Sequence, residues 1–189
     1  MADDEAEINK RKAEPEVGAA FLHFGWAQSP FDGGSRMTDQ ELWNQFSKEN
    51  HLEGADYEAW AFGVEADWLA HLVESGIKTA TASAYPLYEL QNEPLPQVGA
   101  YSVILDSQNN AVCIVQTEKV TIAPFCEVTA EHAYKEGEGD RSLDFWRKAH
   151  EAFFAECLNE AGLAFTPDLK VVCEEFAVVY RQSSKPSAV

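Results

Sequence analysis

The sequence predicts an α+β fold, most simply a small, partly open β-barrel flanked by helices, and three observations lead there. Segments with a two-residue side-chain period recur from about Thr79 onward, and amphipathic helical stripes lie before, between and after them. A length of 189 residues with 46% hydrophobic and 12% aromatic content suffices for one core and argues against two. Short strands and two or three helices over one core define the α+β class.

Order is expected to begin near Thr38. Thr38-Asp39-Gln40-Glu41 is a capping-box pattern, and Leu42, Trp43 and Phe46 follow at helical spacing. A second helix is predicted from about Glu65 to Ser75, burying Trp68, Leu69, Leu72 and Val73, with Gly76 where a left-handed C-terminal cap is wanted. The period then changes: over 79–85, Thr79, Thr81 and Ser83 share one face of a strand and Ala80, Ala82 and Ala84 the other. Strands at 101–106 and 111–120 flank Ser107-Gln108-Asn109-Asn110, an amide-rich hairpin turn. A long helix from about Ser142 to Ala161 carries Leu143, Trp146, His150, Phe153, Phe154, Cys157 and Leu158 on one stripe, and 170–180 reads as a final strand. Residues 1–36, dense in Pro, Gly and Ser without a period, are expected to be a disordered extension, 38–181 the domain, and 182–189 a tail.

The net charge of −18, from 32 acids against 14 bases, restricts the partners. Long polyanions are bound mainly through Lys and Arg, so extended double-stranded nucleic acid is disfavoured, whereas a small nucleoside or short RNA faces a lower barrier. No apolar run approaches the roughly 20 residues needed to span a bilayer, and the start, MADDEAEINKRK, lacks the apolar stretch of a secretory leader. A cytoplasmic location without membrane partners is the expectation. Cys113, Cys126, Cys157 and Cys173 have no CxxC spacing and read as reduced thiols, three of them in apolar surroundings.

Five words in fixed order carry a resemblance: YEAWAFG at 57–63, SGIKTATAS at 75–83, PLPQVGAYSVILD at 94–106, EGEGDRSLDFWRKAH at 136–150 and VVCEEFAVVY at 171–180. Over roughly 38–181 the chain resembles the ASCH-domain family, in particular its longer bacterial branch. The resemblance implies a PUA-like β-barrel with a cleft holding the GxKT segment, and a role with RNA or modified nucleosides. The small N(4)-acetylcytidine amidohydrolases of that family are similar at the GxKTxT word, here Gly76, Lys78, Thr79 and Thr81. By that likeness the catalytic lysine falls on Lys78 and the catalytic threonine on Thr81. Their glutamate lies ahead of the last helix, where Glu136, Glu138 and Asp140 are available and Glu138 is favoured.

The chemistry of these residue types agrees with that assignment. Desolvation by Ile77 and the neighbouring alanines would lower the pKa of Lys78 and make it a base. A hydroxyl beside a neutral lysine is an activated nucleophile toward an amide carbonyl, and Glu138 would protonate the leaving nitrogen. A lysine after a capping glycine is also commonly an ion-pair partner, and threonines are ordinary strand residues. Thr79 and Ser83 are candidate ligand contacts on the same face. Arg141 is a candidate for a phosphate or carboxylate contact, and Ser142 beside it either meets ligand or caps the last helix, as Asp140 could. Tyr57 and Tyr85 could stack a base; Trp43, Trp60, Trp68 and Trp146 read as core, with lining of the cleft as the alternative for Trp60. The histidines do not cluster in sequence, and His150 reads as a core histidine.

Three functions remain open on this evidence. The first is a cofactor-free hydrolase removing an N-acyl group from a cytosine nucleoside. The second is a single-stranded RNA-binding module, and the third a ribonuclease using a divalent metal at Glu136, Glu138 and Asp140.

Overall fold

The computed structural model describes residues 37–181, so the expectations for 1–36 and 182–189 lie outside the described residues. In chain order the elements are α1 (Asp39–Asn50), β1 (Glu58–Ala61), α2 (Ala66–Glu74), β2 (Ala80–Ala84) and α3 (Tyr85–Gln91). There follow β3 (Tyr101–Leu105), β4 (Ala111–Pro124), a 3-10 turn (Phe125–Glu127), α4 (Ala130–Glu136), α5 (Leu143–Glu160) and β5 (Lys170–Arg181). One five-stranded sheet has the order β1-β3-β4-β5-β2 and curls into a half-barrel. Only the β1–β3 pairing is parallel.

The curl originates in β4. This strand pairs with β3 over Ala111–Gln116 and with β5 as far as Pro124, with register shifts at Ile114/Val115 and Thr117/Lys119. Such irregularities bend a strand and raise its twist, which turns a flat meander into a concave sheet. Between β3 and β4 the chain reverses at Asn109, whose φ is 61°, while the Asp106 carboxylate accepts from the backbone N–H groups of Gln108 and Asn110.

Three apolar clusters fasten helices to this sheet. Leu42, Trp43 and Phe46 of α1 pack on Val103, Leu105 and Ile114. Ala70 and Val73 of α2 pack on Ile104, Cys113 and Phe176. Trp146, Phe154 and Leu158 of α5 pack on Ala82, Ala84, Val171 and Phe125. Thr38 forms the full reciprocal cap of α1, accepting from Glu41 N while the Glu41 carboxylate accepts from Thr38 N.

Several expectations need correction. There are five helices where two or three were expected: α3 and α4, seven residues each, are too short to display a stripe. Tyr85, expected to end the strand over 79–85, instead opens α3, with Pro86 in the first turn, a position that suits proline. Trp60 lies on β1, a strand of four residues that the sequence pattern did not reveal. Trp68 is half-buried rather than core, its ring lying beside His71. All four cysteines are free; Cys113, Cys157 and Cys173 are buried, Cys126 is exposed, and burial pushes the Cys113 thiol up to about 12. Among the described residues, no helix is long and apolar enough to cross a membrane.

Candidate functional site

Lys78 is aimed inward by the way α2 ends. Gly76 adopts φ +74°, and the N–H groups of Ile77 and Lys78 both donate to Leu72 O, at 2.9 and 3.0 Å. This tight turn leads directly into β2, where Thr79 N donates to Lys135 O at 2.8 Å and Thr79 O accepts from Phe176 N at 2.9 Å. The C-terminus of α4 is thereby held against the entry to β2. Gly137, with φ +76°, allows the closest part of that contact, since a Cβ there would lie 2.7 Å from Ile77 O. The loop thus brings the residues on either side of Gly137 to the lysine: Lys78 Nζ donates to Glu136 Oε2 at 2.8 Å and to Glu138 Oε1 at 2.7 Å.

The two carboxylates differ in surroundings. Glu136 is 1% exposed and Glu138 21%. The Oε1 atom of Glu136 accepts from Trp146 Nε1 at 2.6 Å and from His132 Nε2 at 3.2 Å, and His150 Nε2 lies 3.5 Å away. His150 also stacks on Trp146, centroids 4.2 Å apart, with Nδ1 3.0 Å from Trp146 O. A backbone carbonyl can only accept, so Nδ1 is the ring nitrogen that donates to Trp146 O, and Nε2 is the one turned toward Glu136. Burial opposes charge on His150, but Glu136 outweighs it and raises the pKa. His132 behaves alike: burial lowers it, hydrogen bonds to Cys173 and Glu136 raise it, and the result is about 9.

This cluster overturns one expectation about Lys78. Burial does favour the neutral amine, yet Glu136 and Glu138 together outweigh it, and the pKa is raised above its ordinary value. The resting group is an ammonium ion and not a base. Burial likewise opposes charge on Glu136, while Lys78 and His150 hold its carboxyl well below the usual range. His150, read as a core histidine, is largely buried with Trp146 O and Glu136 as its partners, and it also lines the adjoining cavity.

Two cavities flank β2. The smaller, about 130 Å³, is lined by Lys78, Thr81, Glu136, Glu138, His150 and apolar residues including Phe62 and Phe153. The larger, about 860 Å³, includes Tyr57, Trp60, Thr81, Tyr101, Thr117 and Glu174. Thr81, Ala82, Ser83 and Tyr88 border both.

The residues singled out from the sequence fall into two groups. Lys78, Thr81, Ser83 and Glu138 come together at the smaller cavity, Ser83 hydrogen-bonded to the Tyr88 hydroxyl at 2.9 Å. Tyr57 lines the larger one, stacked on Trp43 with centroids 4.7 Å apart. The rest lie elsewhere. Thr79 serves the β2–α4 junction, Ser142 caps α5 by accepting from Phe145 N, and Asp140 is exposed and accepts from Ser142 N. Arg141 lies over the Tyr134 ring and Tyr85 under the Lys170 ammonium, neither of them on a cavity wall. Glu136 and Glu138 converge on Lys78 but Asp140 does not join them. Among the described residues no group of three His, Cys, Asp or Glu side chains is disposed to hold a metal ion.

Sequence reasoning missed His132, Trp146 and His150 as site residues. A signal existed: His132 and Glu136, and Trp146 and His150, are both i,i+4 pairs and therefore share helix faces. It went unused because α4 was not recognised and the apolar stripe of α5 absorbed the other pair.

Solved structures with this architecture exist. A DUF984-family protein from Enterococcus faecalis is 37% identical, with 75% of this chain and 88% of that one covered and a TM-score of 0.70. An ASCH domain from Lactobacillus crispatus is 31% identical, with 80% and 99% covered and a TM-score of 0.71. No curated protein matches. The ASCH-domain family model matches residues 58–180, a span running from β1, through the Lys78 turn and the carboxylate loop, to the end of β5. The chain therefore belongs to the ASCH-domain family, with a PUA-like fold.

Proposed function

We propose that this protein is an amidohydrolase that removes an N-acyl group from the exocyclic nitrogen of a cytosine nucleoside. The observation that carries this reading is a buried lysine bound by two carboxylates of unequal exposure, on the wall of a cavity that Thr81 also lines. Glu136 is held ionised by its donors and stays charged through the cycle. Glu138, at the rim, exchanges the proton. When substrate displaces water from the cavity, the Lys78–Glu138 pair neutralises: one proton passes from Nζ to the carboxylate across their 2.7 Å hydrogen bond. The amine so formed takes the Thr81 hydroxyl proton while Oγ1 attacks the acyl carbonyl. Collapse of the tetrahedral adduct breaks the C–N bond, and Glu138 gives its proton to the leaving nitrogen. Glu138 then deprotonates water, which attacks the acyl ester; the ester C–O bond breaks as Lys78 returns its proton to Thr81 Oγ1, and the proton on Glu138 passes back to Nζ across their hydrogen bond, restoring the resting pair.

The RNA-binding association of ASCH domains offers a second reading, but the electrostatics weigh against it. An RNA phosphate would meet Lys78 already neutralised by two acids, on a chain of net charge −18. Incubating the purified protein with N(4)-acetylcytidine and following cytidine by chromatography tests the proposal. Turnover is expected, with loss of turnover in Thr81→Ala. Absence of turnover by the native chain, or full turnover by Thr81→Ala, overturns it.

A further inference from the structure

The larger cavity takes no part in the proton transfers just described, yet it is built as a binding chamber. At about 860 Å³ it is within the usual range for small-molecule sites and far exceeds the space an acyl group needs. Its floor is unusual for a sheet interior. Four neighbouring strands each contribute a polar side chain: Ser102 from β3, Thr117 from β4, Glu174 from β5 and Thr81 from β2. Ser102, Thr117 and Glu174 are all buried, and Glu174 lies directly opposite Thr81 in the β2–β5 register. Thr117 Oγ1 donates to Glu174 Oε1 at 3.2 Å. Glu174 is thus a buried carboxylate with Thr117 among its partners, and it also lines the cavity. Aromatic rings of Tyr57, Trp60 and Tyr101 form further parts of the wall. The charge is one-sided: among the described residues, Glu53, Asp56, Glu58 and Glu174 line it against one cationic side chain, Lys48.

We propose that this chamber holds the body of the ligand whose amide reaches Thr81, and that it selects a phosphate-free nucleoside, with Glu174 accepting from the ligand's hydroxyl or amino donors. The inference rests on the reading of β2 as the reactive strand, because Thr81 and Ser83 form the wall common to both cavities. The aromatic rings suit a planar base, the carboxylate suits sugar hydroxyls, and the acidic wall repels a phosphate. It excludes nucleotides and RNA ends by charge rather than by size.

The test is binding of cytidine and cytidine 5′-monophosphate to the full chain by calorimetry, which needs no turnover. Cytidine is expected to bind at least about tenfold more tightly than the monophosphate, the gap narrowing as salt screens the wall while cytidine affinity stays constant. Glu174→Gln is expected to weaken cytidine about tenfold, the loss of one charge-assisted hydrogen bond. Glu58→Gln, at an exposed position that bears little on folding, is expected to narrow the nucleoside–nucleotide gap. Equal affinity for the two ligands at low salt, or a gap unaltered by both salt and Glu58→Gln, overturns the inference even if acetylcytidine is hydrolysed. Selective cytidine binding without hydrolysis would leave the chamber standing and remove the amidohydrolase.

Discussion

The two cavities on either side of β2 treat charge in opposite ways. Around the smaller one the buried ions are paired with one another: Lys78 meets Glu136 and Glu138, and Glu136 meets His132 and His150, while Glu93 also lines it. Around the larger one the lining carries four acids and one lysine. Paired charge holds groups in fixed positions, whereas one-signed charge acts at longer range on what approaches. The proposed reaction and the proposed selection thus fall in different volumes that share a single strand.

The contrast can be broken most severely at Lys78. Lys78→Met leaves Glu136 buried with Trp146 and the two histidines but without its lysine, and denaturant unfolding should show a loss of about 3 to 5 kcal/mol. Adding Glu136→Gln to that variant should restore part of the stability, since it removes the charge left without its lysine. A smaller effect is expected from pH. The His132 pKa rises from 6.5 to about 9 on folding, so its contribution is complete below pH 6.5 and is lost as pH climbs through 9. The loss is at most on the order of 3 kcal/mol, and unfolding curves from pH 6 to 10 should flatten in His132→Gln.

Next comes Glu138→Gln, which sharpens the difference between the paired acids. It should slow acetylcytidine hydrolysis roughly 10²-fold, equivalent to about 2.7 kcal/mol, while destabilising the fold far less than Lys78→Met. Equal rates for Glu138→Gln and the native chain would transfer the acid role to Glu136. The mildest change is Ser83→Ala on the shared wall. Loss of the 2.9 Å bond to Tyr88 should cost about 1 kcal/mol, seen as a fall in Tm of roughly 2 to 4 °C.

How much of this was legible in the sequence depended on range. The cap at Thr38, the Gly76 turn, the alternation along β2 and the long α5 stripe are local patterns, and each formed where its pattern lies. A partly open barrel was the simplest reading of the element pattern, but where the sheet curls was not legible, because that rests on β4 pairing with two partners and shifting register twice. For Lys78, the apolar neighbours pointed to desolvation and a lowered pKa, which is half of the physics. The other half comes from two acids that arrive from the far side of the fold, and no window around residue 78 contains them. His132 and His150 were dispersed in sequence for the same reason.

That separation also governs how the molecule is made. Lys78 and its two acids lie 58 and 60 residues apart, and the Thr79–Lys135 backbone bond spans the same gap. A chain that buries the lysine before α4 has docked confines an ion without its counterions, and one that docks α4 without the lysine does the same to Glu136. Burying either partner is therefore favourable only when β2 and α4 have met, so the Lys78 cluster couples two stretches of chain that are distant in sequence.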